Sequence, residues 1–294
     1  MNSKLRAILF AVAAAVFYAL NMPFSKLLLG GVGSTMLAGL LYIGAGVGTG
    51  ILYSINSRKI PDSDKLGRED TLYTVALVAL DIAAPIFLML GLKSASAANA
   101  SLLNNFEIVA TTLTARIFFG EKVAARLWGA VGLITLSSAI LSFEDISSLS
   151  FSWGSLLILA AATCWGLENN CTRKLSEKNA LEIVMIKGIF SGSGSLVIAF
   201  LIGERLPDPK LLGAALLLGF VAYGLSITFY VMAQKELGAA KTSAYYSIAP
   251  FVGTFLSAVI LKESLSAQYF AALAVMLIGS AIVVYDTLRA EKRQ

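Results

Sequence analysis

The chain has 294 residues, 57% of them hydrophobic and only 14% charged, with a mean hydropathy of +0.78. Soluble domains carry about 25% charged residues, so this composition excludes an ordinary soluble protein and places the chain in a lipid bilayer. The net charge of +5 does not point to nucleic acid, because the basic residues sit scattered at the ends of apolar runs and form no patch. Histidine is absent, which removes the usual general base and the usual zinc ligand. No cofactor or metal motif is present, and any proton chemistry falls to carboxylates.

A membrane span needs about 20 apolar residues, and ten segments approach that length. They lie near 5–27, 33–55, 71–91, 94–119, 124–142, 153–173, 180–203, 211–233, 239–261 and 267–287. The first, LFAVAAAVFYAL behind Lys4 and Arg6, imitates a signal peptide. Asn21, Pro23 and Lys26 follow it without a polar cleavage region, so it reads as the first span. GAGVGTG, Gly44–Gly50, superficially resembles a nucleotide-binding loop, but no strand precedes it. Its two GxxxG pairs suit close helix packing. Cys164 and Cys171 share one apolar segment and read as small packing residues. Lys and Arg cluster on one side of the spans, as at Arg58, Lys59, Lys65 and Arg68 or at Arg173, Lys174 and Lys178. Lys26, Lys93, Arg205, Lys210 and Lys262 are left for the other side. The positive-inside rule then puts both termini in the cytoplasm.

The stretch Gly91–Lys122 has a second copy at Ala233–Ser264. An offset of 142 residues lays Lys93 on Lys235, Ala97 and Ala98 on Ala239 and Ala240, Ser101 on Ser243, Thr112 on Thr254 and Glu121 on Glu263. With an offset of 147, VFYALNMPFSKLL lies over TCWGLENNCTRKL, pairing Tyr18 with Trp165, Asn21 with Glu168 and Lys26 with Arg173. Ten spans in two copies make five per copy, and an odd number forces the second copy to run inverted through the membrane. The expected fold is therefore an all-α integral membrane protein of ten helices in two inverted five-helix repeats, 1–145 and 146–294. An aromatic, a small residue and a later basic residue in the first span of each half, with a small-rich start leading to a Glu-containing turn around the fourth, resemble the drug/metabolite transporter superfamily, EamA branch. That resemblance implies a central cavity lined by the first, third and fourth helices of each half. It also implies a proline midway along each fourth helix. Pro250 supplies it in the second copy, whereas Ile108 stands there in the first, directly after Glu107.

Asn104, Glu107, Thr111 and Thr114 recur at helical spacing and share one face of a continuous fourth helix. A carboxylate at mid-bilayer costs about 2.5–3.5 kcal/mol, so Glu107 reads as a protonation or substrate-binding site, or else as a structural acid satisfied by its Asn and Thr neighbours. Asp81 lies four residues before Pro85 and is either a coupling acid or the partner of Lys187. Glu168, with Asn169 and Asn170, falls nearer the cytoplasmic end of its span, within reach of water. Lys187, about 10 Å into the seventh span, either counters an acid, binds a substrate carboxylate or snorkels to solvent. Tyr18, Trp165, Tyr223, Tyr230, Tyr245 and Tyr246 offer apolar walls with polar tips, suited to an organic molecule of mixed character. The candidate substrate contacts are Tyr18, Asn21, Asn104, Asn105, Trp165, Glu168, Tyr223 and Tyr246, and the candidate coupling acids are Asp81 and Glu107.

The function expected from these features is secondary transport, with export the family-level direction, of a small organic metabolite such as an amino acid by alternating access, with protons as the coupling ion and the lipid bilayer as the other partner. A flippase for a lipid-linked substrate is the alternative. An intramembrane enzyme using Asp81 and Glu107 as an acid pair lacks histidine, a metal motif and covering loops, and no ring of repeated charge suggests a channel. The expected location is a multi-pass inner membrane. Oligomeric state is left open.

Overall fold

A computed structural model describes residues 3–56, 61, 64–120, 125–145, 150–175, 178–237, 242 and 245–291. The charged turn at Glu121 and Lys122 lies outside the described residues, as do Ala239, Ala240 and Ser243 of the second copy.

Helices occupy the apolar segments in order. They are α1 (Ser3–Ala19), α2 (Asn21–Leu28), α3 (Ser34–Asn56), α4 (Thr71–Ser94), α5 (Ala97–Leu103), α6 (Phe106–Phe119), α7 (Ala125–Ser142), α8 (Trp153–Leu175), α9 (Ala180–Leu201), α10 (Pro209–Gly219), α11 (Ser226–Leu237), α12 (Ala249–Leu261) and α13 (Ala267–Glu291). A short two-stranded hairpin, Phe143–Asp145 with Ser150–Phe151, joins the halves. Among the described residues, seven helical stretches are long and apolar enough to cross a membrane. α8 has the length, at 23 residues, but carries Glu168, Asn169, Asn170, Arg173 and Lys174 in its second half. The fourth span and α12 fall short because each is interrupted. Large apolar side chains such as Ile55, Leu72, Phe118, Trp153 and Leu201 stand exposed around the outside, where hydrocarbon is the natural solvent.

The expected continuous spans are broken at four places. α1 and α2 meet at Leu20. The fourth span begins at Ala97, capped by Ser96 accepting from the Asn99 N–H, and breaks again at Asn104–Asn105. There the bonding tightens to Asn105 N–H on Leu102 and Glu107 N–H on Asn104. The counterpart break at Ser247–Ile248 precedes Pro250, which occupies the first turn of α12. Residues 104–105 thus interrupt their span as 247–248 do, with two asparagines and no proline. Between α10 and α11, Phe220–Leu225 form a π-helical turn, a local widening that recurs at functional sites.

The principal packing pairs are α3 with α9, α4 with α8, α7 with α13, α1 with α11 and α5 with α12. Every pair takes one helix from before residue 145 and one from after it, so the two halves share a single interface. Small residues set the closeness. A methyl group at Gly46 would sit 2.5 Å from the Ile189 nitrogen, one at Gly188 would sit 2.3 Å from the Gly46 nitrogen, and one at Gly44 would sit 2.1 Å from the Leu216 carbonyl oxygen. The two GxxxG pairs of α3 therefore face different partners, Gly46 and Gly50 toward α9 and Gly44 and Gly48 toward α10 and the π-turn.

Charged side chains satisfy backbone ends at the junctions, two of them from across the halves and one, Lys26, from within the first. The Glu204 carboxylate accepts from Thr35 N–H at 3.3 Å and Met36 N–H at 2.5 Å, capping α3. The Glu263 carboxylate accepts from Ala97 and Ala98 N–H at 2.8 and 2.9 Å, capping α5. The Lys26 ammonium donates to the Leu92 and Ala95 carbonyls at 2.5 and 2.6 Å, where α4 ends. Each places charge where a helix end presents unmatched polar groups.

Candidate functional site

The centre of the molecule, where the resemblance implies a cavity, is filled by aromatic side chains. The Tyr18 ring lies 6.5 Å from Trp165, 5.9 Å from Tyr223 and 6.0 Å from Tyr246. Tyr42 packs on Tyr223 at 5.1 Å, and Tyr230 on Tyr246 at 5.0 Å. Four of the candidate residues, Tyr18, Trp165, Tyr223 and Tyr246, thus meet in one cluster, although they come from α1, α8, the π-turn and the stretch just before α12. Tyr245 is half-buried next to Tyr246 in sequence and enters no ring contact among those described. Tyr223 sits on the π-turn and its hydroxyl accepts from Asn21 Nδ2 at 2.9 Å. Asn21, fully buried, in turn accepts from Ser25 Oγ.

Beside the rings runs a chain of buried polar contacts. Trp165 Nε1 donates to the Tyr42 hydroxyl at 3.3 Å, and that hydroxyl donates to Asp81 Oδ1 at 2.9 Å. Lys187 Nζ lies 3.0 Å from Asp81 Oδ2 and 3.1 Å from Glu168 Oε1, and Thr172 donates to Glu168 as well. The relative exposures of Asp81, Glu168 and Lys187 are 0%, 3% and 5%. Asp81 therefore has Lys187 as its partner. Glu168 does not reach water, because α8 packs against α4 and α6 and holds it inside. Nor does Lys187 snorkel, since two carboxylates surround it. Pro85 supplies no N–H to the Asp81 carbonyl one turn back, which leaves that helix bond unmade beside the ion pairs.

Glu107 is reached from α8. Asn169 Nδ2 donates to Glu107 Oε1 at 2.5 Å and approaches Thr111, while Asn170 donates to the Thr111 carbonyl at 3.3 Å. Gly166 permits this proximity, as a methyl group there would sit 2.4 Å from the Ala110 side chain. The polar face expected along the fourth helix is divided by the break. Glu107 and Thr111 turn to α8, whereas Asn104 Nδ2 donates to the Tyr18 hydroxyl at 3.2 Å. Asn104 Oδ1 and Asn105 Nδ2 are buried and have no hydrogen-bond partner among the described residues. A small crevice opens beside Asn104, lined by Tyr18, Ala19, Met22, Ser101, Ala249, Pro250 and Gly253. The sequence reading missed Tyr42, the hinge between the aromatic and ionic clusters. Its position in the second span gave no sign, because nothing polar neighbours it within the apolar run.

The arrangement is suited to holding a charged or polar organic group away from water, and no cluster among the described residues could hold a metal ion. A family model for the EamA-like transporter family matches residues 5–143 and 152–285. An uncharacterized transporter of Methanothermobacter thermautotrophicus is 26% identical over 294 residues, covering 94% of this chain and 85% of that protein. The uncharacterized transporter YyaM of Bacillus subtilis is 24% identical over 177 residues, 57% of this chain and 58% of that one. A crystal structure 18% identical in sequence superposes with a TM-score of 0.70, covering 96% of this chain and 97% of the other, and shares its fold. Matched over both halves and built of apolar helices packed around a buried polar centre, this chain belongs to the EamA-like transporter family, and so to the drug/metabolite transporter superfamily, as a multi-pass membrane protein.

Proposed function

We propose that the protein is a secondary active transporter that exports small organic metabolites, amino acids and related compounds among them, by alternating access. In this reading ten spans form two inverted five-helix halves, 1–145 and 146–294, with both termini cytoplasmic in the cell's inner membrane. The observation that carries the reading is the buried Asp81–Lys187–Glu168 cluster beside Glu107 and the aromatic centre. Intramembrane ionisable groups are costly and mark transport pathways.

The contacts that would change during the cycle cross between the halves. They are Asn21 with Tyr223, Glu107 with Asn169, and the Glu204 and Glu263 caps on α3 and α5. The present arrangement, with the rings in contact, corresponds to an occluded state. Rocking one half against the other would part Tyr18 from Tyr223 and Trp165 and open the crevice beside Asn104. Protonation of Glu107 or Asp81 removes a charge from the centre and so biases which state is favoured.

Flux in sealed proteoliposomes tests this. A panel of amino acids and other metabolites is offered with and without an imposed proton gradient, to wild type and to Glu107→Gln. The expected result is gradient-driven accumulation in wild type, with exchange but no accumulation in the variant. Unchanged accumulation in Glu107→Gln would move the coupling to Asp81. Flux of none of the compounds, with lipid-linked substrates crossing instead, would replace metabolite transport by lipid flipping.

A further inference from the structure

We infer that Tyr42 is a positioning residue that transmits the charge of the Asp81–Lys187–Glu168 cluster to the aromatic wall, through the hydroxyl it gives to Asp81 and its contacts with Trp165 and Tyr223. The inference rests on the transporter reading and deepens it, naming how the buried ions set the shape of the candidate substrate wall.

Tyr42 stands where two packed helix pairs meet. α3 lies against α9 and α4 against α8. The first pair supplies Tyr42 and Lys187, the second Asp81, Trp165 and Glu168. The frame around Tyr42 is tight. A methyl group at Gly188 would sit 2.7 Å from the Tyr42 carbonyl oxygen, so the backbone is held on α9 and the ring is the part that can turn. Among the described residues, the Tyr42 hydroxyl ties the rings to the ions. It donates to Asp81 Oδ1 at 2.9 Å and accepts from Trp165 Nε1 at 3.3 Å, while its ring packs on Tyr223 at 5.1 Å. Tyr18, 6.5 Å from Trp165 and 5.9 Å from Tyr223, completes the wall.

Donor and acceptor counting makes this contact a switch. Two carboxylates against one ammonium leave the cluster one negative charge when all three are ionised, and one proton neutralises it. An ammonium and an indole N–H only donate, and a tyrosine hydroxyl has a single hydrogen to give. Lys187 faces Asp81 Oδ2, so a proton arriving on Asp81 sits on Oδ1, against the Tyr42 O–H. The hydroxyl then turns from donor to acceptor and Trp165 Nε1 competes for the same oxygen. A proton on Glu168 instead leaves the ammonium to Asp81 alone, where it draws on the charge that holds the hydroxyl. Either way the bonds joining α3, α4 and α8 are rearranged. The titratable groups facing Asp81 are Lys187 of α9, Glu168, Cys164 and Cys171 of α8, Tyr42 of α3 and Tyr223 of the π-turn, and Glu107 of α6 faces Glu168. The described hydrogen bond of Glu107 comes from Asn169 and reaches no ring, so Glu107 stands outside this relay and its part in coupling is separate.

The test uses the full chain in detergent with Trp128→Phe and Trp153→Phe, which leaves Trp165 as its one tryptophan. Trp165 emission is followed from about pH 4.5 to 8.5, a range that takes in the titration of carboxylates held in buried clusters. One step is expected. It should vanish in Asp81→Asn, whose amide oxygen accepts from Tyr42 at every pH, and survive in Glu107→Gln. In Tyr42→Phe, which lacks the connecting hydrogen bond, its amplitude should fall at least about threefold. The ultraviolet resonance Raman signature of indole N–H bonding should change across the same step with Tyr42 in place, which reads the Trp165–Tyr42 contact without needing any Tyr42 variant to fold. Absence of a step, a step kept in Asp81→Asn, a step undiminished in folded Tyr42→Phe, or an unchanged indole N–H signature overturns the inference. Flux in proteoliposomes separates the two layers. The full step in a chain that carries no compound leaves the relay and removes transport. Flux without a step leaves transport and removes the relay.

Discussion

Replacing Lys187 with methionine removes the ammonium that, among the described residues, faces both Asp81 and Glu168, and leaves the rest of the packing nearly unchanged in volume. At 3.0 and 3.1 Å, each pair is worth about 5 kcal/mol of gross Coulomb attraction at an effective dielectric of about 20. Most of that is offset by the cost of taking the ions out of solvent. Deleting one partner abandons the attraction while leaving two buried carboxylates, so the net loss is expected at about 3–5 kcal/mol. Equilibrium unfolding of the purified protein in mixed micelles of rising denaturing-detergent content measures it. Asp81→Asn added to Lys187→Met should recover part of the loss, because it removes one of the stranded charges, and the double variant should be less damaged than the sum of the singles. A Lys187→Met protein within about 1 kcal/mol of wild type, or strictly additive singles, would refute the claim that these three side chains form one buried ionic unit.

Other perturbations separate parts of the structure. Tyr42→Phe strips the hydroxyl that links Trp165 Nε1 to Asp81 Oδ1 and should cost about 1–3 kcal/mol in the same unfolding measurement. Gly188→Ala puts a methyl group 2.3 Å from the Gly46 nitrogen and should destabilise by about 1–3 kcal/mol through forced separation of α3 and α9. Gly129→Ala, with nothing within 4 Å of the added methyl, should stay within about 0.5 kcal/mol of wild type. Glu263→Ala uncaps α5 and should cost about 1 kcal/mol. Hydrogen exchange would then be faster at Ala97 and Ala98 than elsewhere in α5, and uniform protection there would argue against the cap.

The apolar runs placed the helices well because hydrocarbon thickness and backbone satisfaction leave few alternatives. Their interruptions were less legible. Pro250 stands beside one of them, although the sequence marks it only as a mid-helix proline, whereas Asn104–Asn105 break the matching helix with no proline, and the π-turn at Phe220–Leu225 has no distinctive residue at all. Such breaks leave no regular mark in an apolar run. The same holds for site membership. Asp81, Glu107 and Lys187 stood out because ionisable groups are rare inside spans, whereas Tyr42 became a member only by meeting Asp81 39 residues away and Trp165 123 residues away. The Glu263 cap had a faint signal in its register with Glu121 across the repeat. The target of that cap, 165 residues away, is a property of the folded chain alone.

Alternating exposure of the crevice is the central claim, and a single cysteine tests it most directly. Ser101→Cys is placed on the crevice wall in a chain carrying Cys164→Ser and Cys171→Ser, reconstituted with known sidedness. Its reaction with a membrane-impermeant thiol reagent is then followed from each face in turn. The expected result is labelling from either face in separate experiments, with the balance between the faces shifted by a transported compound or by an imposed proton gradient. Labelling from one face only, unchanged by either condition, would contradict alternating access around this site.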